Sequence, residues 1–165
     1  MNSFLRAVIK FDDLLAKVEA GALIVLVIAM TVIVFLQVIY RYLLAQSLSW
    51  SEESARYLFA WISLLGAALT VQKRGHFGLE LFFKMLPTKA RRFVGFAIYL
   101  LMGGVILVLL VQGIALFQKV ATQLSPAMQI SMGWAYACLP VGALLMAIHL
   151  LVIIIKESIE KAKTH

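Results

Sequence analysis

Between Glu19 and Arg41 the chain runs for 21 residues, Ala20 to Tyr40, without one charged side chain. A run of this length folds as a bilayer-crossing helix. About 20 residues at 1.5 Å rise cover the roughly 30 Å of hydrocarbon, and a helix pairs its own backbone polar groups where no water is present to do so. The sequence repeats the demand: Phe93 to Gln118 holds 26 uncharged residues, and Met132 to Ile155 is again apolar, with Pro140 and Gly142 inside it. Of the 165 residues 63% are hydrophobic and 14% charged, with mean hydropathy +0.97, a balance that excludes a soluble domain of this size. The expected class is an all-α integral membrane protein.

The remaining span is the unusual one. Ser49 to Gly75 reads SWSEESARYLFAWISLLGAALTVQKRG, and only 16 uncharged residues separate Arg56 from Lys73. That is about 24 Å of helix, too short to cross alone. A span here must begin near Ser49, which draws Glu52, Glu53 and Arg56 to the bilayer edge. Glu52 and Glu53 precede Arg56 by four and three residues, so both carboxylates lie on the arginine's side of the helix and can be partly neutralised by it. Ser49-Trp50-Ser51-Glu52 also reads as a capping box, Ser49 accepting from the amide of residue 52 and Glu52 reaching back. Trp50 suits the headgroup level. Arg56 lies deeper and is unfavourable to the same helix dipole, which leaves a packing or partner role open for it. Ser63, Gly66, Ala67 and Thr70 follow at three- and four-residue spacing, a small-residue face on which another helix packs closely in lipid. The partner is either this chain's own first span or another subunit.

The full expected architecture is four transmembrane helices in a single membrane domain over 1–165, with spans at 20–42, 49–73, 92–118 and 131–155. Before them, Phe4, Val8, Phe11, Leu15 and Val18 form one apolar face of residues 1–19 against Arg6, Lys10, Asp12, Asp13 and Lys17. This is the pattern of an amphipathic helix lying in the interface plane or of a packed partner helix, and not of a cleaved signal peptide. Gln37 near the end of the first span reads as a helix-to-helix hydrogen bond. The basic loop 74–91 contains Phe77, Leu81, Phe82 and Leu86 beside Glu80 and Lys84, a short amphipathic helix stopped by Pro87. Gly95, Gly103, Gly104 and Gly113 offer the third span close backbone approach or local flexibility, and a kink is expected near Pro140. The tail 156–165 is polar.

Basic residues fix the expected orientation. Three lie in the N-terminal arm, six in Lys73 to Arg92 and three after Ile155, against only Arg41 and Lys119 in the other two links. Both termini and the middle loop therefore belong in the cytoplasm. The net charge of +7 is accounted for by topology and contact with membrane lipid, and no nucleic-acid site is expected.

Chemistry is sparse. The single cysteine, Cys138, excludes a disulfide framework and a cysteine-based zinc site within the chain. Apart from Glu52, Glu53 and Arg56, the one ionisable residue inside an expected span is His149, which reads as a lone polar residue near the interface, with no second histidine placed to share a haem. No metal, cofactor or catalytic site is expected. The bare midplane argues against a solute pathway in this chain alone. Two rival classes stay open: a self-contained four-helix proton-coupled exporter, acting as a dimer through Glu52 or Glu53, and a membrane redox or quinone protein.

The Trp-Ser-Glu-Glu helix start at Trp50, Ala55-Arg56-Tyr57-Leu58, Trp61, Leu65-Gly66-Ala67-Ala68 and Arg74-Gly75-His76 followed by an acid resemble the small, Q-type membrane subunit of tripartite ATP-independent periplasmic (TRAP) transporters. The resemblance covers Arg41 to about Glu80, where aspartate is the more usual acid. It implies a protein that is no enzyme and that binds the stationary scaffold of a large membrane permease subunit. That subunit, an elevator, carries the substrate and sodium sites, and a periplasmic substrate-binding protein delivers an organic acid. The overall similarity favours a sialic acid system over a C4-dicarboxylate one. The implied structural and subunit-contact residues are Arg41, Trp50, Glu52, Glu53, Arg56, Tyr57, Trp61, Ser63, Gly66, Ala67, Thr70, Gly75 and His76.

Overall fold

A computed structural model describes residues 3–46, 48–73 and 88–163, with side chains described from Leu5 through Ile159 apart from Thr88, Lys89, Arg91 and Arg92 in the third helix. Among these residues there are five helices and no strand: α1 (Ser3–Leu43), α2 (Ser49–Gln72), α3 (Thr88–Val120), α4 (Met132–Tyr136) and α5 (Cys138–Lys163). Four stretches are long and apolar enough to cross a membrane: Leu5–Leu43, Ser49–Gln72, Phe93–Val120 and Met132–Ile159. The chain is thus an all-α, multi-pass membrane protein. The loop helix expected in 74–91 falls largely outside the described residues, as do Gly75 and His76.

The first nineteen residues do not form an element of their own. α1 is one continuous helix of 41 residues, about 60 Å long, because nothing near Glu19 breaks it. The first proline is Pro87, and the one glycine at the join, Gly21, is tolerated inside a helix. Its burial pattern also differs from that of an interfacial helix. Leu5, Asp12, Ala16 and Glu19 face inward, whereas Phe11 and Val18 of the apolar side are about 60% exposed.

Packing follows the order α1, α2, α5, α3, with α2 and α5 central. Ala68, Ile106, Met146 and Leu150 form the buried cluster, with Leu64, Val71, Tyr99 and Met102 against it. Two glycines permit the close approaches on either side of α5. A Cβ on Gly142 would stand 2.7 Å from Leu64 Cβ, and one on Gly113 would stand 3.0 Å from Leu139 Cβ. The other three glycines of α3 meet nothing and carry no packing role.

The expected fourth span divides into α4 and α5. Pro140 has no N–H to give to the carbonyl of Tyr136, the last residue of α4, so the ladder breaks at Ala137 and Pro140 sits in the first turn of α5, where a missing donor costs little. α4 is capped by Ser131, whose Oγ accepts from the Gly133 amide and donates to the Ala121 carbonyl at 2.5 Å. The link before it is a tight turn. Ser125 and Ile130 are joined by an N–H to carbonyl bond of 2.8 Å, Gln129 takes φ 55°, and Leu124 and Ser131 form a bridge.

Candidate functional site

The ionisable residues inside the helices gather at the two ends of the bundle. At one end Glu53, 5% exposed, points from just past the first turn of α2 into the turn between α3 and α4. Its Oε1 accepts from the Tyr57 hydroxyl at 2.5 Å, and Oε2 accepts from the amides of Ala127 at 2.8 Å and Met128 at 3.3 Å. The fully buried Ser125 lies alongside. Ser54, next to Glu53, donates to the Trp50 carbonyl and lies 3.1 Å from Met128 Sδ. Trp61 donates from Nε1 to the Trp134 carbonyl at 3.1 Å. Glu53 and Trp61 therefore fasten α2 to the α3–α4 turn and to α4, while Tyr57 holds the Glu53 carboxylate from the next turn of its own helix.

The other sequence-derived residues of this end behave differently. The residue preceding α2 is Leu48, which makes no side-chain cap bond; the hydroxyl of Ser51 donates back to the Leu48 carbonyl instead. The capping box is therefore not formed, and Glu52 accepts from Gln37 Nε2 of α1 at 3.3 Å. Gln37 thus makes the helix-to-helix bond expected of it. Neither Glu52 nor Glu53 is ion-paired to Arg56 among the described residues, because Glu53 turns inward to its amide donors while Arg56 turns out. Arg56 shares an exposed face of α2 with Glu52, Phe59, Ser63, Ala67 and Thr70. Gly66 instead lies against α1, 3.6 Å from Leu23 Cδ1 when given a Cβ. The hydroxyls of Ser63 and Thr70 bond to the carbonyls four residues back. Arg41 and Trp50 are exposed at the α1–α2 link.

At the opposite end His149, fully buried, is held between two acids of α1. Nδ1 is 2.6 Å from Asp12 Oδ1 and Nε2 is 3.0 Å from Glu19 Oε1. His149 is not the lone interfacial residue that the sequence suggests; it ties the last helix to the first. Part of the signal was present, since residues seven apart share a helix face and both acids lie within residues 1–19, but nothing in the sequence brings that face to His149, some 130 residues on. The other oxygen of Glu19 is buried without a partner. The two carboxylates sit on opposite ring nitrogens and cannot converge on an ion, and among the described residues no group of His, Cys, Asp and Glu is arranged to hold one. Nearby, Gln72 of α2 reaches Asp13 at 3.5 Å, and Tyr99 of α3 donates to Glu157 of α5.

The architecture, an all-helical chain with acids spent on joining helices, is one of assembly more than of chemistry. Residues 30–159 match the profile of the family described as tripartite ATP-independent periplasmic transporters, DctQ component. The chain belongs to that family. It is a small permease subunit of a TRAP transporter, and such subunits are transport components, not enzymes. It is 32% identical over 121 residues to the sialic acid TRAP transporter permease protein SiaT of Haemophilus influenzae, covering 73% of this chain and 20% of that protein. It is 29% identical over 130 residues to the sialic acid TRAP transporter small permease protein SiaQ of Vibrio cholerae, covering 79% of this chain and 75% of that one. The isethionate TRAP transporter permease protein DctMQ of Oleidesulfovibrio alaskensis is 29% identical over 82% of this chain and 23% of its own length. The chain thus spans about a fifth of two of these relatives and three quarters of the third.

Proposed function

We propose that this TRAP small permease subunit braces the stationary scaffold of a large, elevator-type permease subunit that takes up an organic acid with sodium, the acid being delivered by a periplasmic substrate-binding protein. The observation that carries this reading is the outward face of α2. Ser63, Ala67 and Thr70 are small, their hydroxyls are satisfied within the helix, and they are exposed at membrane depth between Arg56 and Lys73. Small residues let a second helix approach closely in lipid, where packing and polar contacts drive association. Arg56, without an ion pair among the described residues, supplies a charge for a partner near one end of that face.

Orientation follows from the basic residues: both termini cytoplasmic, and the Glu53 end periplasmic, in a bacterial inner membrane. The links at Arg41 to Trp50 and Lys119 to Ser131 then face the delivery protein. The names of the SiaT and SiaQ relatives support sialic acid as the transported acid. The fifth-length coverage of SiaT and DctMQ fits large proteins in which a region like this chain is joined to the rest of the permease.

The test is affinity isolation in mild detergent after co-expression with a large TRAP permease subunit. Arg56→Ala lowers recovery of the large subunit about fivefold, the loss of roughly 1 kcal/mol at a partly desolvated ion pair, whereas Lys84→Ala leaves it unchanged. Equal recovery from both variants would remove Arg56 from the interface.

A further inference from the structure

Where α1 passes into α2, a cleft of about 180 Å³ is lined by Gln37, Arg41, Leu48 and Glu52. We propose that this cleft binds the headgroup of a zwitterionic phospholipid with a primary amine, of the phosphatidylethanolamine type, Arg41 taking the phosphate and Glu52 the ammonium. The inference is independent of the transport reading above.

The cleft carries a cation on one helix and an anion on the other that do not pair with each other. Arg41 makes no hydrogen bond or ion pair to any described residue, and Glu52 accepts only from Gln37, through Oε1. Its second carboxylate oxygen is left for a donor from outside. Opposite charges that share one small cleft and stay apart suit a ligand bearing both signs. A guanidinium presents paired N–H donors to two phosphate oxygens, and a primary ammonium has three N–H donors for a carboxylate. The depth agrees. Arg41 closes the 21-residue uncharged run, which places it at headgroup level. The three residues that follow Arg41 in the chain are open, Tyr42 78%, Leu43 77% and Leu44 53% exposed, and offer apolar surface to the glycerol and upper acyl chain. A phosphatidylglycerol headgroup offers Glu52 no cation, and the quaternary ammonium of phosphatidylcholine offers it no N–H.

The experiment is native mass spectrometry of the full-length chain released from nanodiscs of phosphatidylethanolamine, phosphatidylglycerol and phosphatidylcholine in equal parts. The wild type retains phosphatidylethanolamine in preference to the other two. Arg41→Gln lowers that retention about tenfold or more, the loss of charge-assisted hydrogen bonds. Glu52→Gln removes the preference over phosphatidylglycerol, and Lys119→Gln, a cation exposed in the other link of the same end, changes neither. If Arg41→Gln fails to fold, the headgroup preference of Glu52→Gln decides alone. A wild type that shows no headgroup preference, or variants indistinguishable from it, overturns the proposal. So does a complex with the large subunit that has lost the lipid, since the cleft would then be a protein contact.

Discussion

Glu53 and Glu19 are both carboxylates at least 95% buried, one near each end of the bundle, and they are accommodated by opposite means. Glu53 is met by donors that the fold has already placed: two backbone amides and a tyrosine hydroxyl. The amides come from a turn with its own hydrogen bonds and the hydroxyl from the next turn of α2, so the carboxylate is a peg in a finished socket. Glu19 is met by one nitrogen of a histidine that it shares with Asp12, and its second oxygen has no partner. Amides and hydroxyls satisfy a buried acid without adding charge, whereas two acids around one imidazole leave the balance dependent on a single residue. The Glu53 end is therefore the redundant joint and the His149 end the fragile one.

That contrast orders the consequences of substitution. His149→Ala strips the shared partner from two buried carboxylates and costs about 3–5 kcal/mol, read as a large drop in the detergent unfolding temperature. A drop no greater than that of an exposed-site control such as Lys156→Ala would mean that the acids do not depend on the imidazole. Glu53→Ala is expected to do less globally, because the turn at residues 125–130 keeps its internal bonds. Its mark is local: hydrogen exchange at the amides of Ala127 and Met128 rises about tenfold or more when their charged acceptor is lost. Unchanged exchange would mean that the turn does not need its peg. The smallest effect is expected of Glu19→Gln, which keeps an acceptor for His149 Nε2 and discards the unpaired anionic oxygen; stability changes by less than about 1 kcal/mol. A loss as large as that of His149→Ala would show the charge of Glu19 to be essential.

Much of the fold was legible beforehand, because hydrophobic runs bounded by charges specify spans almost alone: 21 uncharged residues after Glu19 could be little else. The Q-type resemblance around Arg56 and Trp61 agrees with the family to which the chain belongs. The polar joints were not legible, and for a common reason. Each pairs residues far apart in sequence, Glu53 with Ala127 and Asp12 with His149, and helix periodicity ranks only near neighbours. Periodicity instead offered Arg56 as the partner of Glu53 and a box between Ser49 and Glu52, local answers that tertiary donors displaced. It also put Asp12 on the polar side of residues 1–19, although Asp12 points inward while Phe11 and Val18 of the apolar side are exposed.

In the proposed account this chain supplies no solute path by itself, its buried ionisable groups holding helices together among the described residues. Proteoliposomes containing the purified chain alone, assayed for sodium-driven sialic acid uptake with the binding protein present, test this most directly. No flux is expected until the large subunit is added. Substrate-driven flux through this chain without it would contradict the account.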